Sequence, residues 1–86
     1  MVAPYKDINI TMYTKDNCPN CVTAKLILNA AGLKYADVDI MVGERLANFL
    51  KEFPDARQMP QIFINDQRVG GLAGLQKALG QLGVLV

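Results

Sequence analysis

Histidine and tryptophan are absent from this 86-residue chain, and cysteine occurs only twice. Without histidine there is no imidazole acid–base catalysis and no imidazole metal ligand. Two cysteines are too few for a disulfide-stapled secreted scaffold or for a tetrahedral zinc site within one chain. No stretch of about 18 apolar residues is present to span a bilayer. Met1 to Lys6 lacks the apolar run of a signal peptide. Nine basic residues stand against eight acidic ones, a net charge of +1, so no nucleic-acid or membrane partner is expected. The expected setting is cytoplasmic, or an equivalent reducing compartment. There a cysteine pair is catalytic or metal-binding rather than structural.

What the chain does have is enough apolar material, 51% of residues, for one modest core. A single domain over residues 1–86, monomeric, is expected at this length. Ile8-Asn9-Ile10-Thr11-Met12-Tyr13 alternates apolar and polar residues and reads as a strand. A helix follows from about Pro19 to Ala31, with proline at its first position and Gly32 just past its end. Cys21, Ala24, Ile27, Leu28 and Ala31 share one face of it. Lys34 to Ile40 reads as a second strand and Gly43 to Phe53 as a second helix, ended by Pro54. Gln61-Ile62-Phe63-Ile64, an Asn65-Asp66 turn and a short strand at Arg68-Val69 form a hairpin. Gly70-Gly71 then opens a last helix from Leu72 to about Leu82. The first two strands, joined by a helix, should be parallel. The apolar end Leu82-Gly83-Val84-Leu85-Val86 is expected to dock on the core, the alternative being a partner surface.

Both cysteines lie in Cys18-Pro19-Asn20-Cys21, between the first strand and the first helix. With Pro19 as the first helical residue, Cys18 takes the N-cap position, where free amides and the helix dipole favour a thiolate. Cys21 sits three residues on, close enough for the sulfurs to meet. Cys18 is therefore the expected exposed nucleophile and Cys21 the more buried resolving thiol. Lowering a thiol pKa from about 8.5 to about 5.5 raises its thiolate fraction at pH 7 roughly 30-fold. A Brønsted coefficient of about 0.45 removes roughly 20-fold in nucleophilicity. The gain thus lies in leaving from a mixed disulfide rather than in the first attack. As a mere staple, so short a loop would contribute only about 2 kcal/mol. Half of a zinc or iron–sulfur site has the same spacing, but a second pair of ligands is missing.

These residues resemble the glutaredoxins, a branch of the thioredoxin superfamily. The likeness is carried by Tyr13-Thr14-Lys15 leading into Cys18-Pro19-Asn20-Cys21, by Met59-Pro60-Gln61-Ile62-Phe63-Ile64, and by Val69-Gly70-Gly71. Small phage-type dithiol glutaredoxins are similar in also favouring Met before that proline. The resemblance implies a thioredoxin-like α/β fold, β-α-β-α-β-β-α, with a four-stranded mixed sheet flanked by helices. It also implies a cis bond at Met59–Pro60; since only about 5–6% of X-Pro bonds are cis, that expectation rests on the family.

By the same resemblance the chain is a glutathione-dependent thiol–disulfide oxidoreductase, with Cys18 and Cys21 catalytic and glutathione the reducing co-substrate. Lys15 would attract the glycyl carboxylate, and Met59, beside Pro60, would bond the cysteinyl backbone. The amides of Gly71 and Leu72 would receive the γ-glutamyl carboxylate, as helix N-termini do. Asn20 stands where the family often has a Tyr packed against glutathione, and Gln58 where it often has Thr. Leu72-Ala73-Gly74 supplies none of the acidic residues that commonly follow the paired glycines. Arg57 could add charge for a carboxylate. Substrates implied are disulfide-containing or glutathionylated proteins, ribonucleotide reductase among them. Two alternatives stand beside this reading. A thioredoxin reductase could be the electron donor, although the Trp that usually precedes a thioredoxin active site is absent. Cys18 thiolates of two chains with two glutathiones could hold a [2Fe–2S] cluster, which Pro19, stiffening the loop, opposes. Within the chain no metal is expected.

Overall fold

Alternation with a period of two builds the centre of the sheet. In the computed structural model, which describes residues 8–83, strand β1 (Ile10–Thr14) buries Ile10, Met12 and Thr14 on one face and turns Tyr13 to the other. The remaining elements are α1 (Pro19–Ala30), β2 (Ala36–Asp39), α2 (Arg45–Glu52), β3 (Gln61–Ile64), β4 (Gln67–Gly70) and α3 (Leu72–Gln81). The expected element order is therefore present. The strands lie in the order β2-β1-β3-β4, with β2 parallel to β1 and the β3–β4 hairpin antiparallel. This is the four-stranded mixed sheet the family resemblance implies.

The sheet separates two apolar clusters. On one face Met12, Ile62 and Ile64 pack with Leu28 of α1 and with Leu75 and Leu79 of α3. On the other, Tyr13 and Phe63 meet Phe49 of α2 and Phe53 just past its end, with ring centroids 4.9 Å apart for Tyr13–Phe49 and 5.4 Å for Phe53–Phe63. Such tilted and edge-on pairs add modestly to the burial itself. Arg68 of β4 lies over the Phe53 ring and donates to Asp55 at 2.7 Å, tying the hairpin to the segment after α2. No helix among the described residues is long and apolar enough to cross a membrane.

Several boundaries move from those the sequence suggests. α2 begins at Arg45 rather than Gly43 because Gly43 adopts φ +58°, outside the helical region. β2 is shorter than Lys34–Ile40, since it is an edge strand whose pairing starts at Ala36 opposite Thr11. Ile40, just past its end, still donates its N–H to the Thr14 carbonyl at 2.8 Å. Asn65 and Asp66 both take positive φ, the geometry of a two-residue hairpin turn. The docking expected of the apolar chain end falls mostly on residues 84–86, outside the described residues; Leu82 itself is 38% exposed.

β4 feeds directly into α3, and the join is tight. One extra residue, Val69, sits between the β4 partners of Ile62 and Phe63, a bulge that bends the strand. Gly70 follows with φ +100° and Gly71 caps the helix. A Cβ on Gly74 would lie 1.8 Å from the Val69 carbonyl oxygen, whereas one on Gly80 would meet nothing within 4 Å. Gly74→Ala therefore forces α3 off β4. It is expected to cost about 2–3 kcal/mol and to lower Tm by about 10 °C or more. Gly80→Ala is the matched control and should hold or raise Tm, as glycine removal from a helix interior does. Thermal unfolding followed by circular dichroism checks both.

Candidate active site

The turn from β1 into α1 places the cysteine pair. Asn17 takes φ +54°, a left-handed conformation that Asn tolerates better than most residues. Cys18 follows as the extended N-cap, φ −121° and ψ 94°, with Pro19 at the first helical position. The backbone N–H of Cys21 donates to Cys18 Sγ at 3.1 Å. A sulfur thus fills the role usually taken by a Ser or Asp oxygen. Cys18 and Cys21 are joined in a disulfide, their Cα atoms 5.2 Å apart.

Cys18 is less exposed than the sequence suggests. In this oxidised state it is 7% accessible against 2% for Cys21. The cause is the loop before β3: Cys18 Sγ lies 3.4 Å from the Met59 carbonyl oxygen, and Met59 packs in the same cluster. The Met59–Pro60 bond is cis. The Met59 N–H stands outside the sheet ladder, which begins at Gln61.

A groove of about 340 Å³ opens at Cys18. Lys15, Asn17, Cys18, Pro19 and Asn20 line it from the turn between β1 and α1, and Arg57, Gln58 and Met59 from the segment before β3. Of the residues singled out in the sequence, Lys15, Asn20 and Met59 therefore share this groove with Cys18. Pro60 is fully buried behind it. Gly71 and Leu72 do not line the groove, although Gly71 lies against the Pro60 carbonyl, 3.4 Å from where its Cβ would be. The first turn of α3 contains no acidic residue. Among the described residues no group of three or more His, Cys, Asp or Glu gathers as a metal site.

Sequence reading missed three features. Asn17 lines the groove, and its only signal was its place between the first strand and the cysteines. Gln61 is 7% exposed and donates from Nε2 to the Gln58 carbonyl at 2.8 Å, bracing the segment that carries Met59. Thr14, buried just before Lys15, donates from Oγ1 to Asp37 Oδ1 at 2.6 Å, and Lys25 of α1 pairs with Asp37 Oδ2 at 2.6 Å. This triad joins β1, α1 and β2.

A protein-family model described as Glutaredoxin matches residues 10–69. The chain belongs to the glutaredoxin family. Glutaredoxins are thiol–disulfide oxidoreductases, and this glutaredoxin has the cysteine pair of that class. It is similar to the glutaredoxin of Neisseria meningitidis, 39% identical over 70 residues that cover 79% of this chain and 81% of the relative. The solution structure of glutaredoxin from Brucella melitensis is 27% identical with a TM-score of 0.69, covering 96% of this chain and 99% of that one. The crystal structure of glutaredoxin 1 from Francisella tularensis, complexed with cacodylate, has a TM-score of 0.73 at 24% identity, covering 87% and 95% of the two chains. That last likeness bears on the fold.

The Asp37 triad has a pH signature. Partial burial raises the Asp37 carboxyl pKa, but bonds from Lys25 and Thr14 outweigh it and hold the group below its ordinary value. The hydrogen bond with Asp37 correspondingly raises Lys25. A depressed carboxyl stabilises the fold above its unfolded pKa, and the contribution fades as pH falls through the folded one. With the pair's side chains 34% and 40% exposed, screening limits it to about 0.2–1 kcal/mol. Asp37→Asn should therefore lose up to that amount at pH 7. The gap from the unmodified protein should close as pH falls below about 4. Urea denaturation at pH 7 and pH 3 checks this.

Proposed function

We propose that this glutaredoxin reduces disulfides with electrons from glutathione, Cys18 attacking and Cys21 resolving. The observation that carries the reading is the Cys21 N–H aimed at Cys18 Sγ from 3.1 Å, at the mouth of a groove edged by Lys15 and Arg57. In the reduced protein the Cys18 thiolate attacks one sulfur of a substrate disulfide. The Cys18–substrate bond forms and the other substrate sulfur leaves as thiolate. Cys21, losing its proton, then attacks Cys18 Sγ. The Cys18–Cys21 disulfide forms and the second substrate thiolate leaves. Two electrons have passed to the substrate, and two glutathione thiols return them, ending as glutathione disulfide. The first glutathione forms a mixed disulfide with Cys18 as Cys21 leaves. When the second attacks the glutathione sulfur, Cys18 departs as a stabilised thiolate, so its leaving-group quality speeds this regeneration step.

Glutaredoxins use glutathione as co-substrate, and the groove offers matching chemistry. Lys15 is a cation for a carboxylate, and the Met59 backbone can pair with an extended chain. Asn20 lines the same groove, and Pro60 lies buried next to Met59. The open amides of Gly71 and Leu72 at the α3 N-terminus suit a second carboxylate. Substrates would be protein disulfides or glutathionylated thiols, ribonucleotide reductase being one candidate. A reducing cytoplasm is where the dithiol would be regenerated. One observation favours a second donor: the α3 first turn has no carboxylate for the glutathione ammonium, so a thioredoxin reductase could supply the electrons instead.

Reduction of bis(2-hydroxyethyl) disulfide, coupled to glutathione and its reductase or to thioredoxin reductase, separates the two donors. Faster turnover with glutathione is expected. Cys18→Ser should lose at least about 100-fold. Cys21→Ser should keep reduction of glutathionylated thiols and lose the dithiol route. Full activity in Cys18→Ser would overturn the mechanism.

A further inference from the structure

Beside the cysteine groove lies a second cavity of about 330 Å³ whose apolar part has no role in the glutathione contacts described above. Ile40, Met41, Leu46, Leu50 and Ala56 give it an apolar lining. Lys15, Arg57, Gln58 and Met59 line both this cavity and the groove at Cys18, so the two adjoin. Ile40 and Ala56 are its buried floor, while Met41 at the rim is 58% exposed. Among the described residues neither Lys15 nor Arg57 enters an ion pair; the pairs present are Lys25–Asp37 and Arg68–Asp55.

Glutathione is a γ-linked glutamate, a cysteine and a glycine. It carries no aliphatic side chain with which to fill an apolar cavity. A polypeptide does, and one laid along the Met59 backbone with its disulfide sulfur at Cys18 would pass this opening within a residue or so of its cysteine. Resting on the reading above, we infer that the cavity is a specificity subsite for polypeptide substrates, seating a bulky aliphatic side chain next to the reacting cysteine. An acidic group on the same segment would meet Lys15 and Arg57. Apolar pockets discriminate by about tenfold for a modest change in the side chain they hold. The expected preference for Leu over Ser is of that order.

The test uses two hexapeptides, each with one cysteine and one glutamate, differing only in Leu or Ser beside the cysteine. Their glutathione mixed disulfides are reduced by the full chain, and kcat/KM should favour the Leu peptide about tenfold. Leu46→Gln and Met41→Gln, half-buried and exposed positions that spare the buried floor, should bring that ratio towards one. A second arm needs no turnover. Cysteine-to-serine versions of both peptides are titrated into the oxidised protein while amide shifts are recorded. The Leu peptide should bind more tightly and shift Met41, Leu46 and Ala56. Equal kinetics and equal binding for the two peptides, or shifts elsewhere on the surface, would overturn the subsite. A protein that binds the Leu peptide at these amides yet fails to reduce any disulfide would leave the subsite standing and overturn the catalytic reading instead.

Discussion

The first turn of α1 presents its amides to a sulfur. The Cys21 N–H reaches Cys18 Sγ at 3.1 Å, and the rest of the site follows from keeping that geometry. The sulfur can act as a cap only if the chain leaves β1 sharply, which Asn17 permits with φ +54°. Pro19 must then begin the helix, since it has no N–H that would compete for the cap. Cys21 has to lie on the buried side of α1, where Ala24 and Leu28 continue the same face into the core. A helix N-terminus stabilises negative charge within about one turn, so a shift of register by one residue would separate the sulfur from the amide that serves it.

The segment before β3 depends on a different element. Met59 carries its carbonyl to 3.4 Å from Cys18 Sγ, in a segment braced by the Gln61 side chain reaching back to the Gln58 carbonyl. The buried Oε1 of Gln61 has no partner among the described residues. Placing an amide there therefore costs something, while its Nε2 holds the loop that opposes the cysteines. Thr14, Lys25 and Asp37 secure the junction of β1, α1 and β2. Two short polar networks thus brace the segments that line one groove.

Local signals were legible in the sequence and long-range proximity was not. Cys18-Pro19-Asn20-Cys21 with Gly32 at the far end marks α1 to within a residue, because capping chemistry is written in adjacent positions. Gln61–Ile64 and the Asn65-Asp66 turn read equally well, for the same reason. The apolar cavity did not, since Ile40, Leu46 and Ala56 come from separate segments and each looks like ordinary core in its own stretch. Gly74 appeared only as a missing acidic residue; its contact with the Val69 carbonyl requires knowing that β4 and α3 meet so closely. The exposure expected of Cys18 was also too high, because the covering residue, Met59, is 41 positions away.

Selective alkylation of the reduced protein tests the central interaction most directly. At pH 6 an ordinary thiol, with pKa of about 8.5, is less than about 1% thiolate. Iodoacetamide then finds chiefly a sulfur whose negative charge the helix amides stabilise. Peptide mass mapping after brief exposure should find Cys18 modified at least about tenfold faster than Cys21. Equal rates, or faster modification of Cys21, would contradict the account.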